Sequence, residues 1–322
     1  MNLLVLGGTR FVGRRIVESA LARGHAVTVF HRGQTNPGLF PEAEQILGDR
    51  DQGLGALRGR SWDTVVDVNG YVPRLVHDAI LASGRSRYVF ISTLSVLADP
   101  SIAGQTETTP RASFAGLTTE SITNESYGPL KAACEDVVER EAPGRHAILR
   151  PGFIVGPEDY TGRFNYWLRR VTEGGTMLAP GGPDAPLQFI DARDLGAFAI
   201  HVVEERMTGI YHTVGPRNPY TWGKLFEECR RMTGATTLVE YVSESFLTSK
   251  GVSLPMRFPG AEGLSRTSIE KAVAQGLTFL PIQDTIRDTL AWDATQGRRD
   301  VGLTPERERE LLQSWERTKT TE

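Results

Sequence analysis

Cysteine is nearly absent: 322 residues hold only Cys134 and Cys229. Two isolated thiols exclude a disulfide framework, and neither has ligand partners at metal spacing. They read as buried thiols in a reducing compartment. Six scattered histidines (His25, His31, His77, His146, His201, His212) form no zinc or iron signature, so no metal is expected. Charge of one sign is also lacking, with 36 Lys and Arg against 39 Asp and Glu, a net of −3. No global basic field exists to attract nucleic acid. No apolar run approaches the ~20 residues that span a bilayer. The apolar opening Met1–Leu6 runs straight into glycines without a basic leader or cleavage site, so it reads as a buried strand and not a signal peptide. These absences leave a cytoplasmic chain acting on a small molecule, as monomer or homodimer, with no nucleic-acid or membrane partner. At this length it can bury a large core without staples.

What is present is alternation. Near-continuous apolar runs at Leu3–Leu6, Ala26–Phe30, Gln45–Leu47, Thr64–Val68 and Tyr88–Ile91 read as strands. Helical patterns from about Phe11 to Arg23 and Pro73 to Ser83 lie between them. Such runs, unbroken by polar residues, suit parallel strands covered by helices on both faces. Gly24 is a helix stop. Asp99–Thr123 is polar and reads as a long loop of the functional kind. A helix begins near Tyr127, with Pro129 in its first turn, and His146–Leu149 is the next strand. Beyond Gly156 the alternation breaks: helix Gly162–Val171, a Gly/Pro loop Gly174–Pro186, strand Gln188–Ile190, helix Leu195–Glu205, strand Ile210–Val214, and a charged helix Thr304–Thr318. The expected α/β architecture is a doubly wound parallel sheet in residues 1–158, with 187–216 returning to it. A smaller interleaved substrate region takes 159–186 and 217–322.

Gly7-Gly8-Thr9-Arg10-Phe11-Val12-Gly13 joins the first strand to the first helix. In such a turn one glycine permits the tight bend and Gly13 lets the helix approach the sheet. The helix N-terminus then offers N–H groups to a pyrophosphate. Gly7, Thr9, Arg10, Phe11, Val12 and Gly13 are therefore cofactor-binding candidates. Arg10 stands where a third glycine is usual, and a cation there reaches toward a pyrophosphate or an adenosine 2′-phosphate. The second strand ends Phe30-His31-Arg32-Gly33. A carboxylate there would bind both ribose hydroxyls of NAD, whereas an arginine pairs with a 2′-phosphate. Arg32 with Arg10 thus selects NADP(H) first and NAD(H) second. Asp49 either meets the adenine amino group or serves its own loop, and Arg50 beside it is a further cofactor-binding candidate.

Tyr127-Gly128-Pro129-Leu130-Lys131 places a phenol and an ammonium at i and i+4, on one helix face. The ammonium is expected to favour the phenolate and lower the tyrosine pKa, making Tyr127 a proton donor and acceptor. Ser92 and Thr93, ending the fifth strand, supply hydroxyls for a carbonyl or alkoxide.

With Tyr88–Val96, Ile148–Gly156 and Gln188–Leu195, these motifs resemble the extended branch of the short-chain dehydrogenase/reductases, the NAD(P)-dependent epimerase/dehydratase family. The resemblance organises about the first 200 residues and implies a Rossmann-type sheet. It further implies Tyr127 as general acid/base, Lys131 on the nicotinamide ribose, and Thr93 polarising the substrate with Ser92 beside it. Asn69 and Gly70 would line the cofactor, and Pro151, Phe153 and Ile154 would contact the nicotinamide end. Three departures stand out. Arg10 replaces the middle glycine, as in an atypical subset that includes chloroplast RNA-binding members. Leu97 stands where many sugar-nucleotide enzymes have tyrosine. Leu187 or Gln188 occupies the usual place of a pyrophosphate-binding arginine, leaving Arg163, Arg169, Arg193 or Arg257 to compensate.

In the substrate half, Tyr71, Asn165, Tyr166, Gln188 and Trp222 are the pocket candidates, though aromatic clusters serve equally as core. Asp191 and Asp194 bracket a strand end and cap the following helix. The activity expected is NADP(H)-dependent oxidation or reduction of a carbonyl or secondary alcohol on a polar, sugar-like molecule. The alternative is a sugar or nucleotide-sugar epimerase/dehydratase that retains its cofactor, and a third class is a non-catalytic cofactor sensor or RNA binder.

Overall fold

The computed structural model describes residues 1–115, 119–297 and 299–321. Strand β1 (Asn2–Leu6) buries all four of its leucine and valine side chains. The chain then turns into α1 (Phe11–Ala22), whose Phe11, Val12, Ile16, Val17 and Ala20 form one buried stripe. That helix stops at Gly24, in the left-handed region at φ +77°, whose N–H reaches the Leu21 carbonyl at 2.9 Å. Next come β2 (Ala26–His31), β3 (Glu44–Leu47), β4 (Thr64–Asp67), α2 (Pro73–Ala82) and β5 (Arg87–Ile91). Helix α3 (Asn124–Glu141) starts three residues earlier than its tyrosine suggested, because Thr123 and Ser126 form a reciprocal capping box. Pro129 therefore sits in the second turn and not the first, where it removes one helical hydrogen bond.

The chain continues through β6 (His146–Pro151), β7 (Phe153–Val155), α4 (Arg163–Thr172), β8 (Thr176–Pro180), β9 (Phe189–Asp191), α5 (Ala192–Glu204) and β10 (Gly209–Thr213). It ends with α6 (Trp222–Thr233), β11 (Leu238–Val242), α7 (Glu244–Ser249), α8 (Glu270–Ala274), α9 (Ile282–Asp293) and α10 (Pro305–Thr321). The expected Gly174–Pro186 loop contains β8, with Met177, Leu178 and Ala179 buried. Glycine and proline punctuation at both ends concealed a five-residue strand. Of the expected loop Asp99–Thr123, the described residues are irregular and held by a bridge from Leu97 to Arg111; Gly116, Leu117 and Thr118 lie outside them.

Seven strands form one parallel sheet in the order β3-β2-β1-β4-β5-β6-β10. Helices α1 and α5 pack together on one face and α2 and α3 on the other, with an apolar cluster under each pair. A separate cluster around Phe164, Trp167, Trp222 and Phe226 holds the C-terminal part. There β8 pairs with β11, and β7 with β9. The connections leave β1 in opposite directions, toward β2 and toward β4. That reversal opens a crevice beyond the carboxyl ends of the strands, the usual ligand position in such sheets. Among the described residues no helix is long and apolar enough to cross a membrane.

Candidate functional site

A single cleft of about 1190 Å³ follows this crevice from the glycine turn to the C-terminal part. That exceeds the ~300–1,000 Å³ of a site for one drug-sized ligand. At one end Gly7 adopts φ +90°, and a Cβ on Gly13 would lie 1.9 Å from the Gly7 carbonyl oxygen. Only glycine lets α1 approach the turn so closely. Arg10 precedes α1 without capping it, and the first turn carries no acidic residue. The helix therefore presents uncapped N–H groups and the positive end of its dipole to the cleft. These features fit a dinucleotide pyrophosphate. Phe11 is held at φ +42°, a strained conformation for an aromatic residue. Thr9, Phe11 and Val12 line the same wall. Arg10 lies 3.5 Å over the face of Tyr160 instead of standing free.

At the end of β2, His31 braces the turn, accepting from the Gly33 N–H and bonding Gln45. Arg32 is exposed at the cleft rim, without an acidic partner among the described residues. Asp49 also lines the cleft while accepting from the Asp51 N–H at 3.0 Å. Arg50 is on the wall, but its charge is committed. It donates to both oxygens of Asp67 at 2.8 and 2.9 Å, to Asn69 at 2.9 Å and to the Leu75 carbonyl at 3.0 Å. Tyr88 adds a 2.7 Å hydrogen bond to Asp67. Burial alone would raise the Asp67 pKa, but the Arg50 charge and these hydrogen bonds outweigh it and hold the carboxyl below its ordinary range. The network fixes Asn69, whose side chain sits against Gly7. It has no local sequence signal.

Thr93, Tyr127 and Lys131 all line the cleft, with Tyr127 against the Thr93 hydroxyl. Gly128 lets α3 approach the segment after β5 this closely, since a Cβ there would stand 2.2 Å from the Ser95 carbonyl oxygen. Thr93 accepts from the Ser95 N–H at 3.1 Å and faces the cleft. Ser92 also lines the cleft, but its hydroxyl is committed: it donates to buried Glu135 at 2.5 Å, in a cluster with Arg150 and Arg111. Lys131 is fully buried, and Nζ donates to the Gly70 and Ile91 carbonyls, each at 2.7 Å. Burial pulls its pKa down to about 8.

The expected lowering of the Tyr127 pKa does not occur in the protein alone. Burial raises it, opposed by the Thr93 hydroxyl and then by the charge of Arg163. Lys131 is turned toward carbonyls instead. Tyr71 closes the outer side, its ring 6.4 Å from that of Tyr127. Pro151, Phe153 and Ile154 form the floor, with Gly70 under Lys131.

Gln188 lines the cleft while exchanging two hydrogen bonds with the Thr267 backbone. Asn165, Tyr166 and Trp222 do not face the cleft. Asn165 is buried against Asp293, and Tyr166 and Trp222 pack edge-on to Trp167 in the C-terminal core. Of the alternative arginines, Arg163 and Arg257 line the cleft, whereas Arg169 and Arg193 are paired with Asp293 and with Asp191 and Asp288 elsewhere. Asp191 caps α5, but Asp194 accepts from the Leu280 N–H. Sequence reasoning missed Tyr160 and Phe258, which carry no motif and reach the cleft through loop packing.

Residues 56–215 match the model of the NAD dependent epimerase/dehydratase family. The glycine turn lies before that stretch, so its reading rests on the geometry above. A curated relative, the chloroplast stem-loop binding protein of 41 kDa b from Arabidopsis thaliana, is 22% identical over 282 residues, covering 80% of this chain and 70% of its own. Among solved structures, a nucleoside-diphosphate-sugar epimerase from Pseudomonas aeruginosa superimposes with TM-score 0.68 at 18% identity, over 92% of this chain and 98% of that one. The Bordetella bronchiseptica enzyme WbmG in complex with NAD and UDP gives 0.67 at 21%, over 91% and 94%. Residues 56–215 thus resemble the NAD dependent epimerase/dehydratase family, and the chain shares with these solved structures a Rossmann-type α/β fold built on a seven-stranded parallel sheet.

Proposed function

We propose that the protein is an NADP(H)-dependent oxidoreductase that oxidises or reduces a secondary alcohol or carbonyl on a polar, sugar-like small molecule. One observation carries this: Thr93 and Tyr127 converge in the cleft whose far end is an uncapped helix N-terminus rimmed by Arg32. Residues 1–158 with 187–216 form the cofactor half, and 159–186 with 217–322 the substrate half. Gly7, Thr9, Phe11, Val12 and Gly13 hold the pyrophosphate, and Arg32 holds the adenosine 2′-phosphate. Asp49, Asn69, Gly70, Pro151, Phe153 and Ile154 line the remainder. A bound nicotinamide supplies the hydride acceptor or donor. Tyr127 moves the hydroxyl proton at its phenolic oxygen, and Thr93 orients the reacting oxygen. Lys131, whose ammonium donates to the Gly70 and Ile91 carbonyls, is the residue that would bind the nicotinamide ribose.

Arg50 and Ser92 act through other residues, Arg50 by fixing Asn69 and Ser92 by anchoring α3. Cytoplasmic location, and a monomer or homodimer, go with this reading.

A second reading, a sugar-nucleotide epimerase or dehydratase that keeps its cofactor, is favoured by the matched family and by neighbours crystallised with NAD and UDP. The stem-loop binding relative supports a third, RNA-binding reading. Native mass spectrometry followed by titration with NADP(H) and NAD(H) separates them. Exchangeable binding with NADPH preference, reversed by Arg32→Glu, supports the oxidoreductase. Cofactor that resists dialysis, with product isomerised and no net reduction, supports the epimerase. Binding of neither nucleotide sinks both.

A further inference from the structure

We propose that the substrate is an acid, carrying a carboxylate or phosphate close to the reacting carbon, and that Arg163 binds that group. This deepens the reading above and rests on it. Arg163 opens α4, lines the cleft and is half-buried. Its Nε donates to the Thr161 hydroxyl at 3.1 Å, and its guanidinium stands 5.2 Å from the centre of the Phe153 ring. Those two contacts orient the guanidinium and leave its terminal nitrogens without an acidic partner within ion-pair distance among the described residues. Asp159, on the adjoining loop, spends Oδ1 on the Thr161 N–H and hydroxyl and does not come within ion-pair distance.

The other cations of the cleft are committed or distant. Arg50 is locked to Asp67, Arg257 is paired with Glu244, and Arg10 lies on Tyr160. Lys131 is turned to carbonyls, and Arg32 is at the adenosine end. Arg163 and Tyr127 line the same cleft, and the Arg163 charge acts to lower the pKa of the Tyr127 phenol. The field of Arg163 reaches the buried Asp159 carboxyl, but no carboxylate pairs with its terminal nitrogens; a half-buried guanidinium left so favours an anionic ligand, and it matches carboxylate and phosphate through paired N–H donors. Beside it Phe153 stacks on Phe258 with ring centres 5.6 Å apart, an apolar platform for the carbon face of a ring. An alcohol held by Thr93 and Tyr127 and an anion held by Arg163 together fix which carbon reacts.

The test uses the full chain loaded with NADP⁺, loading being checked by mass. Binding is measured by calorimetry for glucuronate, glucose and glucose 6-phosphate, and for the uridine diphosphate esters of the first two. The acid of each matched pair is expected to bind about tenfold more tightly or better, tenfold being about 1.4 kcal/mol. Arg163→Met should abolish that preference with cofactor loading unchanged, and Arg163→Lys should keep part of it. Tighter binding of glucuronate assigns a carboxylate, and of glucose 6-phosphate a phosphate. Equal binding of acid and neutral probes, a preference that survives Arg163→Met, or no binding by any probe to loaded protein overturns the assignment. Failure to load cofactor overturns the reading beneath it, and the assignment with it.

Discussion

Replacing Arg50 with methionine should cost more stability than any surface charge change and should do so in a pH-dependent way. Asp67 is wholly buried, Arg50 is 9% exposed, and Tyr88 covers the remaining side. Removing one partner of a buried ion pair typically costs about 3–5 kcal/mol, a large part of a usual folding stability of about 5–15 kcal/mol. In the wild type the folded Asp67 pKa lies below its unfolded value. Its stabilising contribution is therefore present above the unfolded value and is lost only as pH falls through the folded one. Without Arg50, burial is left opposed mainly by Tyr88 and the more distant Lys131, and the folded pKa rises above the unfolded one. The variant then loses stability as pH rises, by roughly 1.4 kcal/mol per unit at most, from about pH 4 up to the new folded pKa. Urea unfolding of both proteins near pH 4.5 and near pH 7.5 should show a gap that widens with pH. Arg50→Met with Asp67→Asn should recover much of the loss, because the amide still accepts from Tyr88 and no charge is stranded. A gap equal at both pH values would refute the reasoning.

Gly13→Ala should abolish cofactor binding, because its Cβ falls 1.9 Å from a backbone oxygen that no rotamer can move; overpacking of this kind costs about 1–3 kcal/mol or more, read by denaturation alongside nucleotide titration. Asp194 has its pKa raised to about 7 by burial, so its contribution to stability falls as pH rises from the unfolded carboxylate value toward 7. Asp194→Asn, which keeps an acceptor for the Leu280 N–H, should flatten that slope in urea unfolding and stabilise the protein at neutral pH. Tyr127→Phe should lower turnover by about 10²–10⁴ while nucleotide affinity stays unchanged; turnover within a factor of a few of wild type would remove Tyr127 from the chemistry.

The sheet was legible because parallel strands covered on both faces are written as unbroken apolar runs, and because Gly24 and Pro73 mark helix ends where their backbones require it. The glycine turn was legible for the same local reason. The failures have a common cause in side-chain direction. Ser92 and Thr93 both follow the end of β5 and both line the cleft, but the Ser92 hydroxyl is taken by Glu135, a partner 43 residues away that the local pattern does not announce. The i, i+4 spacing of Tyr127 and Lys131 fixed their shared helix face correctly. It did not fix where the lysine's flexible stem delivers its ammonium, which is to Gly70 and Ile91. Asn165, Tyr166 and Trp222 looked like a pocket because aromatic and amide side chains serve pockets and cores alike, and packing against Trp167 and Asp293 decided for the core. Arg50, Asp67 and Tyr88 come from three separate segments, so no periodicity announces them. Yet they hold Asn69 against the turn that the sequence did announce. The readable motif thus depends on an unreadable support, and a substitution far from any motif, Arg50→Met, should damage the cofactor site as surely as one within it.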